Sequence, residues 1–281
     1  MGQSVPPRIL IAQDLSAMGS LSMQTALTLF QACDFSIGVL PTTILSTQSE
    51  GFGSPAVLDT TLWTQQTLQH WVKEQIRFTA VVVGYYDNEA VGDQLADYLD
   101  QQAAAMDLVL VDPAFADNGE PYPLQGLAHM EGLRRLLRRA TLATPNLTEA
   151  CLLTNTPLFT PNPQAVRALL VKFNQLLAPG GQTVLTGLEF GDQVGVAWLD
   201  PLEGRLQQVT LPRLPGHFYG SGDTFTALLT ILLCQQRDLN TAVRQATDLL
   251  HEGLVATMKA NDERRYGIKL GAIIAALQSL A

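Results

Sequence analysis

Residues 216–227 read Gly-His-Phe-Tyr-Gly-Ser-Gly-Asp-Thr-Phe-Thr-Ala, the most distinctive chemical pattern in the chain. A Gly220-Ser221-Gly222-Asp223 turn opens an apolar stretch in which Ala227, Leu228, Ile231 and Leu232 recur at helical spacing. Glycines let backbone N–H groups come close to an anion. The first turn of a helix adds unpaired donors and the positive end of the peptide dipoles. A phosphoryl group suits that place. Asp223 beside it could take a proton from an attacking hydroxyl, or it could simply cap the helix.

Three further segments carry polar chemistry after apolar runs. Residues 111–119 (Val-Asp-Pro-Ala-Phe-Ala-Asp-Asn-Gly) hold two carboxylates, Asp112 and Asp117, in a turn-rich loop. Oxygen ligands of this kind suit Mg²⁺, which is often held by one or two carboxylates and substrate phosphates; Asx-turns would use the same residues. In residues 144–150, Asn146 and Glu149 stand three apart, the spacing of a capping box. Thr186-Gly187 follows another apolar run and is the weakest signal of the three.

Several chemistries are excluded. The chain has no G-x-x-x-x-G-K-[ST], no G-x-G-x-x-G after its first apolar run, no H-E-x-x-H and no G-x-S-x-G. Cys33, Cys151 and Cys234 are odd in number and widely spaced, which fits free, buried thiols in a reducing cytoplasm. Lys and Arg total 17 against 26 Asp and Glu, a formal charge of −9. That balance argues against a nucleic-acid partner, and it requires any phosphate site to work through Mg²⁺, backbone N–H groups or both. The run Arg134, Arg135, Arg138, Arg139 has the spacing of a solvated helix face. No membrane segment or signal peptide is expected.

The elements that position these loops follow from periodicity. Strands are expected at residues 8–14, 36–45 (with Pro41 as a possible break), 80–84, 107–112 and 182–187, and a short one is expected before Thr144. Helices are expected at 21–34, 61–75, 88–105, 126–140, 163–177, 223–236, 240–260 and 271–280. Residues 193–199 and 206–211 flank a Pro–Gly turn and read as a hairpin. The β-then-α order predicts one domain over residues 1–281: three-layer α/β/α, with a mostly parallel central sheet and an appended antiparallel hairpin. Ligands in such sheets bind beyond the carboxyl ends of the strands, where the segments above fall.

In order, AQDLSAMGS (12–20), PTTILSTQSEGFG (41–53), VVVGYY (81–86), LVDPAFADNG (110–119), ATPNLTEA (143–150), VLTG (184–187) and GSGDTFTA (220–227) resemble the pyridoxal (vitamin B6) kinase branch of the ribokinase-like superfamily. The resemblance runs from Ile9 to about Thr257. It implies ATP and Mg²⁺ as cofactors, a B6 vitamer as substrate, a cytoplasmic location and a homodimer. Asp223 matches the family's base for the substrate hydroxymethyl, and Gly220, Ser221 and Gly222 match its anion hole. Asp117 and Glu149 match positions in the Mg²⁺ shell; Asp112, Asn146 and Thr186 match residues near the ATP phosphates. Tyr85 and Ser49 match contacts to the pyridine ring.

Many pyridoxal kinases carry Ser after the first strand's Gln, whereas here Asp14 follows Gln13. The Asp14-Leu-Ser16 pattern, with Gly19 beyond it, is similar to kinases of hydroxymethylpyrimidine in thiamine synthesis. The resemblance thus implies that Asp14, Ser16 and Gly19 lie at the substrate ring, where a carboxylate could bond a ring N–H or phenolic O–H; Asp14 could instead cap a helix or loop near Ser16 and Gly19. That second branch often has Cys at the position of Asp223. The alternatives to a pyridoxal kinase are thus a hydroxymethylpyrimidine (phosphate) kinase, or a non-catalytic paralogue that binds a B6 vitamer or nucleotide.

Overall fold

The computed structural model of the chain describes residues 8–102, 106–122 and 127–280. Its centre is a nine-stranded sheet of order β11-β10-β9-β8-β5-β4-β1-β2-β3. The parallel strands are β1 (Arg8–Ser16), β2 (Ser36–Leu45), β4 (Ala80–Val83), β5 (Leu108–Val111), β8 (Leu142–Ala143) and β9 (Gln182–Phe190). They are rich in Val, Ile and Leu because both faces of the sheet are covered. Antiparallel strands extend it at either end: β10 (Gln193–Leu199) and β11 (Leu206–Pro212) beyond β9, and the short β3 (Val57–Leu58) beyond β2. A separate two-stranded ribbon pairs β6 (Ala116–Asp117) with β7 (Glu120–Pro121).

Alternate strand residues feed two cores, as a period of two requires. Leu10, Val81, Val83 and Val111 pack with Leu95, Leu136 and Phe173 on one face. That face is covered by helices α2 (Thr61–Lys73), α3 (Glu89–Gln102), α4 (Leu127–Leu137), α5 (Leu147–Leu153) and α6 (Pro163–Asn174). Ile9, Ile11, Val82 and Trp198 pack with Met23, Phe30, Leu228 and Ile231 on the other. There lie α1 (Ser22–Ala32), α7 (Ser221–Cys234), α8 (Leu239–Ala260) and α9 (Leu270–Ser279). Each fully buried aliphatic side chain contributes roughly 1.5–3 kcal/mol.

The expected three-layer architecture is observed, with local corrections. Pro41 does not break β2: at its position β2 pairs only with β1, so the missing N–H has a free side to face. The hairpin is the outer part of a three-stranded antiparallel unit, because β9 runs past Gly187 to Phe190 and pairs with β10. Helix α7 starts at Ser221, two residues before Asp223. Residues 103–105 and Gly126, placed in helices by periodicity, lie outside the described residues. The arginine run meets acidic partners instead of facing only water: Arg135 pairs with Asp93 and Asp97, and Arg139 with Asp100, binding α4 to α3. Cys33, Cys151 and Cys234 are free thiols, but Cys151 alone is fully buried. No described helix is long and apolar enough to cross a membrane.

Candidate active site

Strand β1 pairs with β2 on one side and β4 on the other, so the chain reverses its direction of winding between β1 and β4. A crevice forms at the carboxyl ends of the strands at such a point. Asp14 on β1, Tyr85 after β4, Asp112 after β5 and Thr186 on β9 all lie along that edge.

Helix α7 points its first turn at this edge. Its N-cap is Gly220, in the left-handed region at φ +78°, and no side chain caps it. The first-turn N–H groups of α7 therefore have no partners within their own helix. A Cβ on Gly220 would press on Leu21 Cδ2 at 3.0 Å, and one on Gly222 would meet Asp112 Oδ2 at 4.0 Å. Glycine thus leaves room between the turn and the Asp112 carboxyl. Asp223 does not cap α7. Its Oδ2 accepts from the Ser22 backbone N–H at 2.9 Å and from Ser22 Oγ at 3.2 Å. Asp223 keeps part of its surface open. Burial pushes its carboxyl above the usual range, while the two Ser22 donors pull it back.

Asp112 is buried, and Thr226 Oγ1 donates to its Oδ2 at 2.9 Å. Thr226 Oγ1 also lies 3.0 Å from Thr144 Oγ1. Burial, then the charge of Asp223, raise the Asp112 carboxyl to about 7. The same two causes, in the same order, raise Asp14 to about 7. Asp14 Oδ2 accepts from Ser16 Oγ at 3.4 Å.

The capping box is formed. Asn146 Oδ1 accepts from the Glu149 N–H at 2.9 Å, and Glu149 Oε2 from the Asn146 N–H at 2.8 Å. Glu149 Oε1 also accepts from the Phe115 N–H at 3.2 Å, and Asn146 Nδ2 donates to the Ala116 carbonyl at 2.8 Å. These bonds weld the loop after β5 to the start of α5. Asn146 pairs with Thr186 as an isolated bridge, and Thr186 Oγ1 donates to the Pro145 carbonyl at 3.3 Å. Burial, then the neighbouring Asp112, hold the Glu149 carboxyl well above its ordinary value.

Two buried carboxyls, Glu149 with Asp112 close enough to raise it, suit a divalent cation. No group of three or more Asp, Glu, His or Cys side chains with metal-binding geometry occurs among the described residues. Asp117 is only half-buried and accepts from the Asn118 N–H at 2.8 Å and from Asn118 Nδ2 at 3.1 Å.

Beyond Asp14, Ser16 is buried and Gly19 adopts φ +98°, with its Cβ position 3.0 Å from the Tyr266 carbonyl. Tyr85 is half-buried, and its carbonyl accepts from Thr42 Oγ1 at 2.6 Å. Ser49 is exposed in the loop of residues 46–56.

The sequence reading gave no role to Ser22, Thr144, Thr226 or the stretch Glu263–Gly267, a distinctive run it took for a solvated turn. A short 3-10 turn, Arg264–Tyr266, clasps three site loops. Gln48 Nε2 donates to the Arg265 carbonyl at 2.7 Å, and Arg265 Nη1 donates to the Gly51 carbonyl at 3.0 Å. The Arg265 guanidinium lies 4.4 Å from the Phe52 ring and that of Arg264 lies 4.2 Å from the Phe218 ring. The Ser20 N–H donates to the Tyr266 carbonyl at 2.7 Å, and Ser20 bridges Gly267. The signal available in the sequence was the Arg-Arg-Tyr-Gly run itself, which has no distinctive periodicity.

The phosphomethylpyrimidine kinase family matches residues 22–267, and the chain belongs to that family. Among solved structures, pyridoxal kinase from Lactobacillus plantarum is 34% identical, with a TM-score of 0.92 over 98% of this chain and 97% of that one. The chain is also 31% identical to hydroxymethylpyrimidine/phosphomethylpyrimidine kinase of Escherichia coli (strain K12), over 65% of this chain and 67% of that protein. A Caenorhabditis elegans protein provisionally named a pyridoxal kinase is 30% identical over 60% of this chain. The matched segment spans about half, 53%, of that relative.

Proposed function

We propose that this chain transfers the γ-phosphoryl group of ATP to the 5′-hydroxymethyl of pyridoxal, pyridoxine or pyridoxamine. The observation that carries the reading is Asp223: a carboxylate in the first turn of a glycine-opened helix, held by Ser22 and facing the buried Asp14 and Asp112. The substrate O–H gives its proton to Asp223. A new O–P bond forms as the bond between the γ-phosphorus and the β,γ-bridging oxygen breaks, and ADP leaves. The N–H groups of Ser221 and Gly222, with Gly220 giving access, stabilise the charge on the transferring oxygens. Asp112, Asn146 and Thr186 border the nucleotide phosphates.

Asp112 and Glu149 would hold Mg²⁺, with Asp117 reaching it through water; the cation would neutralise phosphate charge. Asp14, Ser16, Gly19, Ser49 and Tyr85 form the ring side. An Asp14 carboxyl near 7 can accept from or donate to a ring substituent at neutral pH. The cytoplasmic location and the homodimer belong to this proposal and rest on the family resemblance.

A second reading, a hydroxymethylpyrimidine kinase, is favoured by the name of the matching family and by the Escherichia coli relative. Asp at position 223, where the pyrimidine branch often has Cys, supports the pyridine substrate instead. ADP release from MgATP, measured separately with the three B6 vitamers and with hydroxymethylpyrimidine, tests the choice. We expect turnover on at least one vitamer; turnover on the pyrimidine alone would assign the second reading, and no turnover on any of them would favour a binding paralogue.

A further inference from the structure

Ser22 is the most unusual residue beside the base. It is buried, it opens α1, and its φ of +40° lies in the left-handed region, which a residue with a Cβ enters at a cost of about 1 kcal/mol. Such strain persists only where the surroundings impose it. Here they do: Ser20 is tied to Tyr266 and Gly267, and Leu21 packs on the space left by Gly220.

The strained turn has a consequence for α1. Its N-cap, Leu21, offers no side-chain acceptor, and the first turn contains no acidic residue. The positive end of α1 is therefore without a local partner. Asp223, 201 residues away in sequence, supplies one, accepting both the Ser22 N–H and the Ser22 hydroxyl on Oδ2. The carboxyl of the base thus lies at two helix starts, in the first turn of α7 and against the first residue of α1. Both donors address one oxygen, so the lone pairs of Oδ1 are left for an incoming hydroxyl.

We propose that Ser22 is a positioning residue for phosphoryl transfer: through its N–H and hydroxyl it fixes the rotamer of Asp223 and keeps the carboxyl ionised for proton abstraction. This rests on the kinase reading above. Ser22 reaches the reaction only through Asp223, so its loss should slow the chemical step and spare binding. Burial opposes the ionisation of Asp223, and the two Ser22 donors act against that penalty.

The test compares Ser22→Ala and Ser22→Gly in the full chain, with the Asp223→Asn background alongside. The glycine variant removes the hydroxyl, keeps the N–H and accommodates the positive φ, so it answers the question even if the alanine variant is too strained to fold. A hydrogen bond to a charged group accounts for about 10-fold in rate, so each variant should lose about that factor in kcat. KM for ATP and vitamer should stay within about 2-fold. In the Asp223→Asn background the loss should shrink to about 2-fold or less, because the two residues act as one unit. A glycine variant with native kcat, a change in KM alone, or the same loss in the Asp223→Asn background would overturn the role of Ser22 while the active wild type upholds the kinase reading. A wild-type protein inactive on every vitamer and on hydroxymethylpyrimidine would overturn both.

Discussion

Asp112 and Asp14 are buried carboxyls whose ionised forms are disfavoured by burial and by the charge of Asp223. Their value of about 7 in the folded chain, against 3.8 when free, means that the folded chain holds protons the unfolded chain releases. Stability from these sites is thus intact below the free value and declines as pH rises through the window up to about 7. Replacing Asp112 with Asn keeps an acceptor for Thr226 and removes the penalty. Thermal melts without nucleotide should show little gain in Tm at about pH 4.5 and a clear gain at about pH 8. An equal gain at both would mean that Asp112 is ionised throughout. Glu149→Gln should raise the Mg²⁺ concentration for half-maximal turnover, and an unchanged titration would remove Glu149 from the metal shell. At this scale the sequence was legible where chemistry is local. The capping box of Asn146 and Glu149 and the Gly220–Asp223 turn each fall within a few residues. Ser22 was invisible because its partner lies 201 residues away, and Thr226 because a threonine inside an apolar helix resembles any other.

Among the elements, the 3-10 turn Arg264–Tyr266 joins the loop of residues 46–56, the approach to the anion hole and the turn that leads to Ser22. Gly267 is where it cannot be altered: φ is +93°, and a Cβ would meet the Ser20 carbonyl oxygen at 2.1 Å. Gly267→Ala should therefore lower Tm by several degrees, on the scale of ~2–4 °C per kcal/mol for a chain of this size, and reduce kcat with it. Native melting and turnover would show that the contact between Ser20 and Gly267 carries no strain. Strand and helix positions were readable from Val/Ile/Leu runs and helical spacing, because β1, β4 and β5 are covered on both faces. The ends were less so. Helix α7 begins at Ser221 because Gly220 can adopt the left-handed cap that starts it, and β9 continues past Gly187 because β10 supplies a partner.

Across the whole molecule, the formal charge of −9 and the four carboxylates Asp14, Asp112, Glu149 and Asp223 work against an anionic nucleotide. The fold offsets this with the helix start of α7 and a pair of carboxylates suited to a cation. MgATP should therefore raise Tm where ATP with a chelator does not; equal protection would remove the cation from the account. The three-layer architecture was legible because it depends on the alternation of strands and helices. The clasp was not, since it brings together residues from both ends of the chain.

The most direct test of the account is Asp223→Asn, assayed for ADP release from MgATP with the preferred substrate while ATP affinity is measured by calorimetric titration. Removing a general base should lower kcat by roughly 10²–10⁴-fold and leave ATP affinity within about 2-fold of wild type. A variant with near-native kcat would contradict the assignment of Asp223 as the base.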